Sequence, residues 1–507
     1  MTEINKNNPL KSNQVSENAL KDHCLYKILN PKSICVFGAN DDFVNTMGSM
    51  QMRNIKSAFK GKLFPIHLRL SKVQGLKAYK SVLDLPEIPD LAFLIIPKRV
   101  VPQIMEECGQ KGIKRLIITT GGFREVGERG DGIKLSKEID AIAKKYSMRF
   151  IGPNCIGLYN GYANLNTFWA YFPHLVGNIS IASQSGTVAS LTSWQTRYRG
   201  VKIGKSISVG NERNIDIVDV LEYFRDDPQT SVIGLYIEEI KRGREFFKLA
   251  KEVTPKKPIV AMYAGGEGAA ARSVSSHTGS IAGNNKIFEA MFNQTGIIST
   301  NSILDFLQFL KTLSYAQANN VYPKGKRVGI LTNSGGSAAI MSKSTEMYGL
   351  EVPEFSKELQ EKISKYIPPH ASGKNPIDVT FSKNQNDFFT TLPKLLVKSG
   401  EIDLLLFDGF FDLSEMFEIF EKSGSTIDET MKQSAKSFYT NLTKPLRRLA
   451  GKKSIPILYS GPQLFSHQSY IDFIEKDLPI FELWDDPPKN AAMLVKYSEY
   501  RRKFSES

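Results

Sequence analysis

Short apolar runs alternate with longer amphipathic stretches along most of the chain. In the first third, runs rich in β-branched and aromatic residues predict the strands Ser33–Phe37, Leu63–His67, Leu91–Pro97, Arg115–Thr120 and Arg149–Gly152. Apolar residues at helical spacing between these runs predict the helices Thr46–Ala58, Val100–Lys111 and Leu135–Tyr146. Strands that alternate with helices are typical of βαβ units, so this part of the chain predicts a parallel sheet.

The same alternation begins again twice further along the chain. The predicted strands of the second block are Asn178–Ala182, Lys205–Val209, Val232–Ile237 and Ile259–Tyr263, and those of the third block are Arg327–Thr332, Ile402–Phe407 and Ile455–Tyr459. The predicted helices are Val188–Arg197, Gly283–Gly296, Ser302–Tyr315, Ser337–Tyr348 and Lys489–Arg502. We therefore predict an α/β protein of three tandem doubly wound layers, the second and third of them flavodoxin-like.

The composition of the connecting segments sets the predicted domain boundaries. Residues 1–25 are mostly polar and predict a loose leader, whereas residues 317–326 are rich in Asn, Pro, Gly and Lys and predict a linker. The three layers then occupy residues 26–158, 159–316 and 327–507.

The overall composition narrows the class of protein. A chain of 507 residues fits three domains of about 150 residues each, and 41% hydrophobic residues suffice for buried cores. The apolar stretches fall short of the ~20 residues of a membrane span, and we see no signal-peptide pattern. Four scattered cysteines fit neither a disulfide framework nor a metal site. We therefore expect a cytoplasmic protein with no metal site and no membrane partner.

The charge balance favours anionic partners. Lys and Arg number 66 against 52 Asp and Glu, which gives a net charge of +14. The chain lacks zinc-finger spacing, an aromatic RNA-binding motif and a dense basic block, so nucleic acid is disfavoured. A polyanionic small molecule or an acidic protein surface suits this charge, and a basic solvated surface without a specific partner is the alternative.

Small and polar residues follow the predicted strands of the first layer, where a ligand crevice is expected. In an open parallel sheet, ligands bind beyond the carboxyl ends of the strands. A glycine at the first strand-to-helix turn lets a ligand approach the backbone, although it equally suits a tight turn with no ligand. The residues predicted at this crevice are Gly38, Asn40, Arg69, Pro97, Thr120 and Gly121.

The segment Ser185-Gly186-Thr187 predicts a phosphate site in the second layer. It lies between a predicted strand and a predicted helix, where backbone N–H groups are free and the helix dipole attracts anions. Ordinary helix capping by the serine is the alternative.

His277 is the residue that most strongly suggests catalysis. It lies in Ser275–Gly283, a loop of small residues that leaves room around the imidazole. A neutral imidazole keeps a lone pair and can act as a nucleophile when a carboxylate fixes its tautomer. Glu238, at the end of a predicted strand, suits that role, and Glu239 is a second candidate. A structural, hydrogen-bonded histidine is the alternative.

Several short motifs in a fixed order carry a resemblance to a known family. They are Gly38-Ala39-Asn40, Gly152–Gly157, Ser183–Gly186, Ser208–Asn211, Asp226–Thr230, Tyr236–Glu238, Ser276–Gly279, Thr332–Gly336 and Asn375–Asp378. In this order the chain resembles the nucleoside-diphosphate-forming acyl-CoA synthetases, namely the ADP-forming acetate–CoA ligase α subunits and their relative, the succinyl-CoA synthetase α subunit. The resemblance runs from about Leu29 to Tyr497.

This resemblance implies an acid–thiol ligase with a Rossmann-like, CoA-binding first domain. Acyl-CoA, phosphate and ADP would give a carboxylic acid, CoA and ATP through an acyl phosphate and a phosphohistidine. His277 would be the phosphohistidine and Glu238 its carboxylate, with the phosphoryl group held by residues 185–187 and Gly279. The first crevice would bind CoA. ADP or ATP and Mg²⁺ would lie on a separate ATP-grasp β subunit, in an α2β2 complex.

The chain departs from the family pattern at several positions. Tyr263 replaces a lysine, Glu212 and Asn214 replace a lysine and an aspartate, and Lys343 replaces an aspartate of the third block. These departures leave open a CoA-binding regulatory or scaffold protein without turnover. A third hypothesis, an NAD-dependent oxidoreductase, is disfavoured because no acidic residue clearly ends the second strand to hold a ribose.

Overall fold

The computed structural model describes residues 17–42, 46–126, 130–169, 176–190, 199–266, 285–380, 384–410, 413–430, 432, 445–446, 448–451, 455–461 and 478–505. These residues fall into two compact units, one within residues 1–194 and 203–301 and the other within residues 195–202 and 302–507. Two large sheets belong to the first unit and one to the second. The predicted α/β class is confirmed.

A five-stranded parallel sheet forms the first layer. Its strands are β1 (Ser33–Phe37), β2 (Lys62–Ile66), β5 (Leu91–Leu94), β6 (Arg115–Ile118) and β7 (Arg149–Ile151). Between β2 and β5 the chain forms a separate two-stranded hairpin of β3 (Lys72–Val73) and β4 (Leu76–Lys77). The order in the sheet is β2-β1-β5-β6-β7. The connecting helices are Met47–Ala58, Val101–Lys111 and Gly132–Tyr146. Every residue of β1 and β5 is buried, as expected where helices cover both faces of a parallel sheet.

The second sheet has seven strands, of which the central ones are parallel. The strands are β8 (Leu158–Asn160), β9 (Leu165–Asn166), β10 (Ile179–Ser183), β11 (Ile203–Ser208), β12 (Val232–Ile237), β13 (Ile259–Tyr263) and β14 (Ile298–Ser299). Their order is β14-β13-β12-β10-β11-β8-β9, with β8 antiparallel to β11. The helices Ile217–Asp226, Gly243–Val253 and Asn285–Thr295 belong to this layer. The carboxyl ends of β10, β11 and β12 therefore meet at one edge.

The third sheet, in the second unit, has the flavodoxin-like order. It consists of β15 (Val328–Thr332), β16 (Ile377–Asp378), β17 (Leu404–Asp408), β18 (Ile457–Ser460) and β19 (Ile480–Phe481), ordered β16-β15-β17-β18-β19. The helices of this unit are Ile303–Asn319, Gly335–Met347, Lys357–Ser364, Leu392–Ser399, Leu413–Lys422 and Asp486–Ser505.

Two predicted segments differ from the structure. Residues 17–25 of the predicted leader include the helix Glu17–Asp22, and Leu25 is fully buried in the core of the first unit, because apolar residues recur here at helical spacing. The predicted linker starts too early, since the helix Ile303–Asn319 continues through its first three residues. That helix ends at Asn320, whose φ of +51° is left-handed.

Candidate functional site

A cavity of about 460 Å³ lies beyond the carboxyl ends of the strands in the first unit. On one side it is lined by Ile95, Ile96, Pro97, Thr119 and Thr120, which follow β5 and β6. The Thr120 hydroxyl donates to the carbonyl of Ile96 at 2.6 Å, and the Thr119 hydroxyl donates to that of Leu94 at 3.0 Å. Two of the predicted crevice residues, Pro97 and Thr120, therefore lie in the wall of a real cavity.

The turn after β10 forms the opposite wall of the same cavity. Gln184, Ser185, Gly186 and Thr187 all line it, and a helical run at 186–190 follows the turn. The Ser185 hydroxyl accepts from Val188 N at 3.3 Å, so Ser185 also caps this helix. The first N–H groups of a helix have no intrahelical acceptor, which suits an anion. The segments predicted to bind CoA and phosphate thus face one space.

The first turn has the structural purpose that the sequence left open as an alternative to ligand binding. Gly38 has a φ of +86°, and a Cβ at this position would overlap the carbonyl oxygen of Ile95. The Asn40 side chain accepts from Asp42 N and from the Ser49 hydroxyl, both at 2.7 Å, and so ties the turn to the next helix. Neither Gly38 nor Asn40 is among the residues that line the cavity.

Two other predicted crevice residues also lie outside the cavity lining. Arg69 is exposed, and its backbone N–H donates to His67 Nδ1 at 3.1 Å. Gly121 packs closely against polar side chains, because a Cβ there would lie 3.1 Å from Asn154 Oδ1 and 3.3 Å from Glu125 Oε1. Their predicted contacts with CoA stay predictions.

The cavity also contains polar residues that sequence reasoning did not assign. Asn154 Nδ2 donates to Asn211 Oδ1 at 3.1 Å, and Asn211 Nδ2 donates to Glu125 Oε2 at 2.5 Å, which joins three loops beside the cavity. Gln51 Nε2 donates to the carbonyls of Ile156 and Thr167 at 3.1 and 2.8 Å. Gln51 is a polar residue on the buried face of the helix Met47–Ala58, and this position was the sequence signal that could have identified it as a cavity residue.

Cys155 lines the cavity but does not offer a nucleophile. It is 3% exposed, and burial raises the pKa of its thiol to about 12. Because the thiolate is the reactive form of cysteine, this side chain is inert at neutral pH.

The two candidate carboxylates at the end of β12 have different environments. Glu238 is 5% exposed, and its backbone N–H donates to Gln184 Oε1. Glu239 is more exposed and lies 3.6 Å from Lys241 Nζ. Burial, with a smaller contribution from the charge of Glu238, raises the pKa of Tyr236 on the same strand. Glu238 is therefore the carboxylate held inside the protein, whereas Glu239 is partly balanced by a lysine.

The predicted nucleophile lies outside the described residues. His277 and Gly279 belong to residues 267–284, between the end of β13 and the helix Asn285–Thr295. The strand β13 neighbours β12, so the described chain leaves for this loop at the sheet edge where Glu238 lies.

Glu212, in the turn after β11, is a buried carboxyl group beside these elements. Its Oε1 accepts from Ile217 N at 2.8 Å, and the side chain is 4% exposed. Burial raises the pKa of Glu212 to about 8, and the charge of Lys241 opposes this shift only in part. Glu212 is therefore largely protonated at neutral pH.

Three of the departures noted in the sequence lie away from this cavity. The Tyr263 ring stacks on Phe288 with centroids 3.8 Å apart and an interplanar angle of 14°. Asn214 Oδ1 accepts from Phe150 N at 3.2 Å, and Lys343 is an exposed residue of the helix Gly335–Met347. None of these three residues lines the cavity.

The described part of the chain lacks both a metal-binding cluster and a membrane-spanning helix. No group of three or more His, Cys, Asp or Glu side chains there is arranged to hold a metal ion. Among the helices it contains, none combines the length and hydropathy of a bilayer span.

Three family models match consecutive parts of the chain. Residues 32–161 match a CoA binding domain, residues 176–313 match a succinyl-CoA ligase like flavodoxin domain, and residues 328–433 match a ligase-CoA domain.

Curated relatives match over most of the chain. The α subunit of ADP-forming acetate–CoA ligase II of Pyrococcus furiosus is 39% identical over 377 residues, which cover 74% of this chain and 80% of the relative. The α subunit of ligase I of the same organism is 37% identical, with coverages of 70% and 76%. The ADP-forming acetate–CoA ligase of Methanocaldococcus jannaschii is 38% identical, and the match covers 71% of this chain but only 49% of that longer protein.

A solved structure matches nearly the whole chain. The dinucleotide forming acetyl-coenzyme A synthetase 1 of Ca. Korarchaeum cryptofilum, in complex with phosphate and ADP, is 30% identical with a TM-score of 0.80. The match covers 95% of this chain and 98% of that one.

Proposed function

This chain belongs to the family of ADP-forming acid–CoA ligases, as an α subunit, and from that premise we propose how it works. The reaction converts acyl-CoA, phosphate and ADP into a carboxylic acid, CoA and ATP. We assign to this chain the steps from acyl-CoA to a phosphorylated histidine, and to a partner subunit the transfer to ADP.

The first step joins phosphate to the acyl group. A phosphate oxygen attacks the thioester carbonyl, the C–S bond breaks, and CoA leaves as a thiolate that takes up a proton. A nitrogen of His277 then attacks the phosphorus of the acyl phosphate, and the P–O bond to the acyl group breaks to release a carboxylate. Finally ADP takes the phosphoryl group from the histidine, which gives ATP.

The shared cavity is the observation that carries this proposal. Pro97 and Thr120, from the layer that matches a CoA binding domain, face residues 185–187, whose helix N-terminus suits a phosphate. Phosphoryl transfer depends chiefly on positioning and charge stabilisation, and this arrangement provides both where the thioester and the phosphate must meet.

Glu238 is the carboxylate that we assign to His277. It lies at the carboxyl end of β12, next to β10 and its phosphate turn, and it is buried. A buried carboxylate that accepts from one imidazole nitrogen leaves the other nitrogen with its lone pair, and it stabilises the cation formed on phosphorylation.

The nucleotide half-reaction is assigned to a partner. Relatives of this chain are named as α subunits. We propose an ATP-grasp β subunit that binds ADP with its Mg²⁺, an α2β2 assembly and a cytoplasmic location.

Co-expression with a candidate ATP-grasp chain tests the proposal. The purified complex should form ATP from an acyl-CoA, ADP and phosphate, and it should carry an acid-labile, base-stable phosphoryl group on His277. His277→Asn should abolish both, whereas His370→Asn, an exposed histidine of the second unit, should change neither. Full turnover by the His277→Asn complex would rule out the phosphohistidine.

A further inference from the structure

Three turns meet at the carboxyl edge of the second sheet, and one side chain joins two of them. The turns follow β10, β11 and β12, which are neighbours in the sheet. They carry the phosphate turn 185–187, the buried carboxyl group of Glu212, and Glu238. Their relative positions decide where a phosphate lies with respect to the carboxylate assigned to His277.

The side-chain amide of Gln184 bonds at both ends to the turn after β12, and it also interacts with the carboxyl group of Glu212 in the turn after β11. Its Oε1 accepts from the backbone N–H groups of Glu238 and Glu239, the latter at 3.0 Å. Its Nε2 donates to the carbonyl of Glu239 at 2.8 Å. The backbone N–H of Gln184 also donates to the carbonyl of Tyr236 at 3.2 Å. Gln184 is 5% exposed, so these bonds form largely out of contact with water.

Lys241 connects the turn after β11 to the turn after β12. Its Nζ donates to the carbonyls of Asn211 and Glu212 at 2.7 and 2.8 Å and lies 3.6 Å from Glu239 Oε1. The turns after β11 and β12 are thereby linked, while Gln184 links the turns after β10 and β12.

We propose that Gln184 is a positioning residue for phosphoryl transfer. Its side-chain amide fixes the backbone of Glu238 relative to the phosphate turn 185–187, which Gln184 immediately precedes. This proposal rests on the function proposed above. Gln184 acts through Glu238 and through residues 185–187, and we assign it no bond to the reacting atoms.

The chemistry of the contact explains why an amide stands at this position. One oxygen must accept two N–H bonds while the other end donates to a carbonyl, which an amide does without carrying charge. A carboxylate would lose the donor and add a negative charge close to Glu212, Glu238 and Glu239, with Lys241 as the nearby cation.

The test compares Gln184→Leu with wild type in the reconstituted complex. Gln184→Leu should lower kcat, and the single-turnover rate of His277 phosphorylation, about 10²-fold, which is the effect of a small misplacement of reacting groups. The KM for acyl-CoA should stay within about twofold, because the residues after β5 and β6 are untouched. Gln308→Leu is the matched control, since Gln308 is also 5% exposed and hydrogen-bonded, to Asn490, but belongs to the second unit.

Gln184→Glu tests the role through the pH dependence of kcat, which a merely structural role of Gln184 would leave unchanged. When protonated, the glutamic acid donates from its O–H to the Glu239 carbonyl and accepts at its other oxygen, so it restores the pattern of the amide. The kcat of Gln184→Glu relative to wild type should therefore rise as pH falls from 8 to 5.5. This variant also decides the matter if Gln184→Leu does not fold.

The outcomes separate this proposal from the function on which it rests. An unphosphorylated wild-type complex would remove the proposed function itself. A wild-type complex that is phosphorylated at His277, with Gln184→Leu phosphorylated at the same rate, would remove only the role of Gln184. The role would also be ruled out if the kcat of Gln184→Glu relative to wild type did not change between pH 8 and 5.5. It would likewise be ruled out if Gln308→Leu lowered kcat as much as Gln184→Leu.

Discussion

Glu212 departs from the family pattern, and the fold buries its side chain as a mostly neutral carboxylic acid. The family pattern has a lysine here, but this chain places a carboxyl group in a buried turn and keeps it largely protonated, with a pKa of about 8. An acid whose pKa is raised in the folded state favours folding below its ordinary pKa and loses that contribution as pH rises through the folded value.

This environment predicts a pH-dependent gain from Glu212→Gln. Glutamine keeps the acceptor for Ile217 N and never ionises. Between the ordinary glutamate pKa and pH 8, the free energy of unfolding of the variant should rise relative to wild type by about 1.4 kcal/mol per pH unit. Urea unfolding at pH 5, 6.5 and 8 measures this slope. Glu289→Gln, at an exposed glutamate, is the control, and equal slopes for both variants would contradict the prediction.

Lys205 and Asp227 form a buried ion pair whose members are 1% and 2% exposed. Lys205 Nζ donates to Asp227 Oδ2 at 2.7 Å and to Gln229 Oε1 at 2.8 Å. Removal of one charge leaves the other buried and uncompensated, so Lys205→Met should lower the free energy of unfolding by about 3–5 kcal/mol. The double variant Lys205→Met with Asp227→Asn should recover part of that loss in the same urea titration. A double variant less stable than the single one would contradict this account.

At the scale of elements, long apolar runs were predictable and short strands were not. The predicted bounds of β1, β12 and β13 agree with the structure, because these strands are buried throughout or nearly so and read as continuous apolar runs. The strands β8, β9 and β14 were missed, since two or three residues are too few to show a period. Their pairing depends on neighbours distant in the chain.

The first turn gives a prediction at the same scale. Gly38→Ala should be strongly destabilising because the turn combines a φ of +86° with close contact between its backbone and the residue after β5. Gly130→Ala is the matched control, with a φ of +83° and, among the described residues, no atom within 4 Å of the added Cβ. The loss for Gly38→Ala should exceed that for Gly130→Ala by roughly 2 kcal/mol or more in thermal unfolding, given typical costs of overpacking. Equal losses of stability for the two variants would contradict the prediction, because they would show that the backbone near Ile95 shifts to admit the Cβ.

At the scale of the whole molecule, the rule that ligands bind beyond the carboxyl ends of parallel strands selected part of the lining of the cavity. It selected Pro97 and Thr120, while the expected anion site at a helix N-terminus selected residues 185–187, and all of these line the cavity. The rule also selected Gly38 and Asn40, which do not line the cavity. Gly38 is needed for the close approach of the turn to Ile95, and the Asn40 side chain holds the turn to the next helix. Gln184 and Asn154 could not be assigned in advance, because their partners lie in other loops that only the folded sheets bring together.

Ligand binding distinguishes the function from the dinucleotide alternative. A ligand that binds only the folded state stabilises it by about 2.7 kcal/mol at a concentration of 100 Kd. CoA should therefore raise the Tm of this chain, whereas NAD⁺ at the same concentration should not. A shift with NAD⁺ alone would instead favour a nicotinamide enzyme.

Cys155 has a consequence for the handling of a sulfur-containing substrate. The proposed function brings CoA to a cavity whose wall contains a cysteine. If the CoA were oxidised to its disulfide, attack by a Cys155 thiolate would release one CoA thiolate and leave a mixed disulfide. Exchange of that kind requires a thiolate and access to it, and burial denies Cys155 both. Cys155 should accordingly carry no CoA adduct after incubation with oxidised CoA, which peptide mass spectrometry would show.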